Sequence, residues 1–276
     1  MKRITLCADD YAQSPAINRA ILRLVEMGRL DAVSCLTLSP TWKADARNLL
    51  AAENGQRVGL HFNLTLPFDQ PARKVSTIMA SCLLRKIDKA TLLRTFDSQW
   101  QSFIRFFGRP PDFIDGHQHV HVFPVVREII TTEIAARSPS CSIRSLSPPS
   151  GLPSHLLKRS VLECFNRRMV TLIREKGLSS NHTFAGFRSY PSSTDFPVLF
   201  NRWLSAATDD TLIMCHPGFA GSDTTDPIRN CRPDEFLYLS SPEFENDLRA
   251  ADISTAPRKK VAPLIHGDFG IQPTVA

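Results

Sequence analysis

Short apolar runs that end in polar residues alternate, along this chain, with stretches whose apolar positions recur every three or four residues. Residues 3–8, Arg-Ile-Thr-Leu-Cys-Ala, form the first run and lead into Asp9-Asp10. Ser14-Pro15 follows, a good N-cap and a proline suited to the first helical turn. Ile17, Ile21, Leu24 and Val25 then take helical spacing, and Gly28 marks the stop. The same alternation predicts strands at 32–38, 57–65, 113–117, 142–146, 184–187 and 211–218. It predicts helices over 41–52, 92–107, 124–137, 156–176, 196–207 and 235–250. In the helix 92–107, Phe96, Trp100, Phe103 and Phe107 share one side. The stretch 67–87 reads as irregular, the Pro148–Pro153 cluster and residues 221–232 as loops, and from 256 onward there is no periodicity.

Strands that alternate with helices imply an α/β fold with a parallel sheet. About seven parallel strands favour closure into a TIM-like (β/α) barrel, and 276 residues suit that size as one domain over 1–276. No run approaches the ~18 consecutive apolar residues of a membrane helix. The opening Met1–Asp10 meets two aspartates too soon for a signal-peptide core, so a cytoplasmic location is expected. The seven cysteines lack paired spacing and are expected as reduced thiols. The net charge is +6 and the isoelectric point about 9.1. The basic residues are spread out, with short pairs such as Arg167-Arg168 and Lys259-Lys260, so no nucleic-acid partner is expected. No glycine-rich phosphate loop or Gly-x-Ser-x-Gly elbow is present.

Candidate chemistry centres on Asp115-Gly-His-Gln-His-Val-His121. In a strand Asp115, His117, His119 and His121 would all project from one face. Asp9, Asp10, His61, His117 and His216 all fall at or just past predicted strand ends, which in a barrel converge on the functional face. One carboxylate and two imidazoles make a facial metal-ligand set, and Asp10, His61 and His117 suit it. Asp9 would then take the proton of the attacking water, and His216 would protonate a leaving amine. Each residue also has a plain structural reading. Adjacent aspartates can cap a turn, His61 can be a satisfied core histidine, and His216 before Pro217-Gly218 can be a turn residue. His119 is expected to play a supporting part, with His121 the better placed of the two to reach the site. Asp115 is expected to orient its neighbours. His155, His182 and His266 are expected on the surface. Cys215 neighbours His216 but would point to the opposite face, so the two cannot pair as a nucleophile and base.

Four segments occurring in order resemble the YdjC-like (ChbG/HpnK) carbohydrate deacetylases. They are Ala8–Tyr11 with Ser14–Asn18, Gly59–Thr65, Asp115–Pro124 and Met214–Gly218, with a weaker match over Glu235–Pro242. The resemblance implies a distorted (β/α) barrel that removes N-acetyl groups from amino sugars such as chitooligosaccharides or related glycoconjugates. It also implies a divalent metal, Mg²⁺ first and Zn²⁺ as the alternative, held by Asp10, His61 and His117. By the same likeness Asp9 is the base, His216 the acid, Arg144 a substrate contact, and the protein a homodimer; His121, as the tract histidine that reaches the site, is a second candidate substrate contact. Tyr11 stands where relatives have Phe-Gly, and the segment 256–276 matches nothing in the family. The loops 67–89 and 148–154 are expected to shape the sugar pocket. Two competing readings are another metal-dependent hydrolase, such as a phosphoesterase, and a sugar-binding barrel without catalysis.

Overall fold

The computed structural model describes residues 1–52, 54–68, 71–151, 157–188, 195–221 and 225–255. The strands are β1 (Lys2–Tyr11), β2 (Ala32–Cys35), β3 (Arg57–Phe62), β4 (Phe113–Gly116), β5 (Ser142–Ile143), β6 (Thr183–Ala185), β7 (Thr211–Cys215) and β8 (Ile253–Ser254). The helices are α1 (Pro15–Glu26), α2 (Trp42–Ala51), α3 (Val75–Leu83), α4 (Lys89–Phe107), α5 (Val126–Arg137), α6 (Leu157–Glu175), α7 (Phe196–Ala206), α8 (Arg232–Ser240) and α9 (Pro242–Ala250). Seven strands form one parallel sheet in the order β5-β4-β3-β2-β1-β7-β6, and β8 adds to the start of β1.

The sheet curls, and its two ends meet without a regular ladder. Ile143 donates to the Ser179 carbonyl and Phe184 to that of Ser147, while the Asn181 carboxamide bonds the backbone of Ser145 and Thr183. A short β5 leaves only this patchwork to close the wall, which gives the distorted barrel. Barrel interiors of this class are usually filled by branched aliphatic side chains. Here Cys7, Ser34, Asp115 and Arg144 bond to one another across the middle. The apolar core lies outside, between sheet and helices. The expected Phe96, Trp100, Phe103 and Phe107 stripe of α4 is buried there, with Gly108 as the left-handed C-terminal stop (φ 80).

Several elements depart from expectation. β1 runs on through Asp9-Asp10 to Tyr11 instead of stopping at residue 8. The irregular stretch 67–87 contains α3. The helix expected over 235–250 is two, because Ser241-Pro242 ends α8 and caps α9. The histidine tract is not a strand. β4 stops at Gly116, and His117–Val122 winds into a 3-10 turn with Gln118 (φ 53) and His119 (φ 61) left-handed. His182 is exposed as expected, whereas His155, His266 and the segment 256–276 lie outside the described residues. Among the described residues, no helix is long and apolar enough to cross a membrane.

Candidate active site

Consecutive residues of a regular strand face opposite ways, so Asp9 and Asp10 could not both enter one site. A bulge resolves this. The register of β1 on β2 shifts between Ala8 and Tyr11, and Asp10 takes φ 68, a conformation aspartate tolerates better than most residues. Ala12 is also left-handed (φ 73). Its N–H is held by Asn18 Oδ1 at 2.7 Å, and the Tyr11 hydroxyl donates to the Asp45 carbonyl at 2.8 Å. Tyr11 and Asn18 thus lock the loop beside Asp10.

Asp10, His61 and His117 converge. Their ligand atoms lie within 4.8 Å of one another. Asp10 Oδ1 is 3.4 Å from His61 Nε2 and 3.0 Å from His117 Nδ1. Behind them, His61 Nδ1 lies 2.7 Å from Asp115 Oδ1, and Ser34 donates to that same oxygen at 2.6 Å. That bond fixes the ring so that Nε2 faces Asp10, the arrangement by which a metal-binding imidazole is normally oriented. Burial alone would depress the His61 pKa, but the Asp115 and Asp9 carboxylates overturn this and raise it to about 10. Burial would likewise raise Asp10, yet the Arg232 guanidinium, with His117, holds it well below the usual carboxylate range. The donors, their charge and their outer partners fit a divalent cation.

Asp9 faces the barrel interior. Both of its oxygens receive the Arg144 guanidinium at 2.7 Å, and Arg144 also pairs with Asp115 at 2.5 Å. The Arg144 side chain is fully buried. Expected to touch substrate, it instead stands behind Asp9, because three acidic and thiol side chains draw it into the interior. His121 is corrected in the same way. It is fully buried with Nε2 donating to the Arg144 carbonyl at 3.2 Å, and His119 lines the cavity in its place. The 3-10 turn causes the exchange, since strand alternation no longer applies there.

Asp9, His61, His117 and His216 line one cavity of about 830 Å³ at the C-terminal ends of the strands. Of the two expected pocket loops, Pro67, Phe68 and Arg73 contribute from the first, and no described residue of 148–151 does. Segments 186–188 and 225–232 contribute instead. Gly186 permits the first of these: at φ 113, a Cβ there would sit 2.4 Å from the Met214 carbonyl.

Sequence reasoning missed the part played by α8. Arg232 bonds Asp10 Oδ2 at 2.8 Å and Asp226 at 2.6 Å. One turn later Glu235 accepts the His216 backbone N–H at 2.6 Å and pairs with Arg188 at 3.1 Å. An Arg and a Glu three residues apart look like an exposed helix pair in a sequence, and nothing local marks them as buried.

The fold and the site therefore define a distorted (β/α) barrel with a carboxylate–imidazole centre at its C-terminal face. The model of the family described as YdjC-like protein matches residues 3–250, and the chain belongs to that family. A chitooligosaccharide deacetylase of Citrobacter koseri is 26% identical over 232 residues, covering 79% of this chain and 83% of its own. A chitooligosaccharide deacetylase of Yersinia pestis is 25% identical over 258 residues, covering 88% and 93%. A solved Enterococcus faecalis structure, provisionally described as a cellobiose-phosphate cleavage protein, shares the fold. It has a TM-score of 0.68 at 18% identity and covers 92% of this chain and 97% of its own.

Proposed function

We propose that this protein is a carbohydrate N-deacetylase that depends on a divalent metal and hydrolyses the N-acetyl group of amino sugars. One observation carries the reading: Asp9, His61, His117 and His216, brought from four different strand ends, line a single cavity large enough for a sugar unit. The names of the Citrobacter and Yersinia relatives support the same substrate class. Asp10, His61 and His117 would hold the cation, Mg²⁺ by family likeness, with Zn²⁺ equally suited to two imidazoles. Such an ion polarises an acyl carbonyl and eases deprotonation of water. Asp9 takes the proton of the attacking water on its carboxylate, which Arg144 holds in place from behind. His216, steadied through its backbone by Glu235, delivers a proton to the departing amine nitrogen. A cytoplasmic, homodimeric protein completes the reading.

The test is acetate release from a panel of N-acetylated sugars with defined metals and with chelator. Activity is expected to vanish with chelator and to fall about 10²–10⁴-fold in Asp9→Asn while that variant still binds metal. Undiminished turnover by Asp10→Asn or Asp9→Asn would overturn the reading. The cavity is also lined by Arg73, Arg188 and Arg232, which favours a phosphoesterase as the second reading. Release of phosphate but not acetate would select it.

A further inference from the structure

The basic residues are spread along the chain, but their excess over the acidic ones is not. Residues 73–94 carry Arg73, Lys74, Arg85, Lys86, Lys89 and Arg94 against one acid, Asp88, a net +5 in a chain whose net charge is +6. All six cations are exposed. Among the described residues only Arg94 of the six pairs with a carboxylate, Asp88 at 4.0 Å, and both side chains are more than half exposed. Arg85 and Lys86 suit the C-terminal end of α3, where a helix favours cations. Lys89 does not. It opens α4, the end that favours acids, and the first turn of α4 holds none. Local helix physics therefore leaves the cluster unexplained. Exposed leucines gather on the same corner. Leu83 and Leu84 are 52% and 65% exposed where α3 ends, and Leu93, one turn after Lys89, is 40% exposed. A single exposed leucine is ordinary. Here three fall between residues 83 and 93, interleaved with Arg85, Lys86 and Lys89. Ile78, Cys82 and Leu92 of the same two helices are packed in the core, so the leucines are held outward on a fixed frame.

We infer that the corner formed by α3 and the start of α4 docks this protein on an anionic lipid bilayer, its cations meeting lipid phosphates and its leucines entering the interface. Charge complementarity selects this occupant. A second copy meeting the same face across a twofold axis would set +5 against +5. A nucleic acid would satisfy the cations but leave the leucines against phosphate and water. An anionic bilayer takes both, because clustered lysine and arginine are drawn to its headgroups while leucine side chains enter the acyl boundary. Arg73, where the basic segment begins, lines the active-site cavity with Pro67 and Phe68. From there α3 runs to Leu83, so it links the cavity to the docking corner. The inference does not depend on the reaction proposed above.

The experiment sediments the full chain with vesicles of equal parts phosphatidylglycerol and phosphatidylcholine, and with vesicles of phosphatidylcholine alone. It compares wild type, the double variant Leu83→Ser with Leu84→Ser, and the double variant Lys86→Glu with Lys89→Glu. Leu237→Ser is the control, because Leu237 is 64% exposed on α8, away from the basic segment. Melting temperature checks that each variant is folded, and all four proteins are expected to melt alike, since only exposed side chains change. Wild type should bind the anionic vesicles and not the neutral ones, and added salt should weaken the binding. Each double variant should lose at least roughly tenfold in partition onto the anionic vesicles, with the control unchanged. Wild type that ignores anionic vesicles overturns the inference, as does equal binding to both vesicle types. Binding that survives either double variant, or that the control loses equally, overturns it too. A single-stranded oligonucleotide that binds wild type and displaces nothing from the vesicles leaves the inference standing; one that binds where vesicles do not overturns it.

Discussion

Asp115 carries more of the site than its position suggests. It accepts from Ser34, orients His61 and pairs with Arg144, all without exposure. Burial would raise its pKa, but the Arg144 and His61 charges hold it below the usual carboxylate range. Asp115→Asn keeps the shape but removes the charge that fixes His61, and a 10–100-fold loss of metal affinity is expected by titration calorimetry. His121 gives a second residue-level prediction. Burial, with the Arg144 charge, pushes its pKa down to about 3 from 6.5. The unfolded chain therefore binds a proton that the folded chain refuses. The contribution to stability is intact above pH 6.5 and is lost as the pH falls from 6.5 toward 3, by up to about 1.4 kcal/mol per pH unit. His121→Gln, which cannot titrate, should show a shallower acid loss in urea denaturation followed over that range.

At the scale of elements, two helices hold the loops that carry the chemistry. From α4, Gln99 is buried, and its carboxamide spans both backbone groups of Asn63, accepting at 2.8 Å and donating at 2.7 Å. This pins the chain just after His61. Gln99→Met leaves both groups unpaired and should cost about 2–4 kcal/mol in urea denaturation with an unchanged denaturant slope. α8 performs the matching task on the other side through Arg232 and Glu235. Neither helix advertised its polar role. The α4 stripe of Phe96, Trp100, Phe103 and Phe107 was legible because burial imposes a period. Gln99 lies on the same buried side and breaks that period, so only its partner explains it.

At the scale of the whole molecule, the site links elements far apart in the chain. Asp10 alone joins β1 to the turn at His117 and to α8. A cation bound there should stabilise the fold as a unit. At about 100 times its dissociation constant it should add about 2.7 kcal/mol, seen as a raised melting temperature that chelator reverses and Asp10→Asn abolishes. The strand–helix alternation and the placement of Asp9, Asp10, His61, His117 and His216 at strand ends could be read directly from the sequence. They follow from local physics, namely the period of apolar positions and the residues that stop each run. Which way each side chain faces could not be read this way. The left-handed turns at Asp10, Gln118 and His119 bring adjacent residues to one wall, send His121 inside and place Arg144 behind Asp9. Those directions are set by partners more than a hundred residues away, such as Arg144 for Asp9 and Arg232 for Asp10, and such contacts leave no period in the chain.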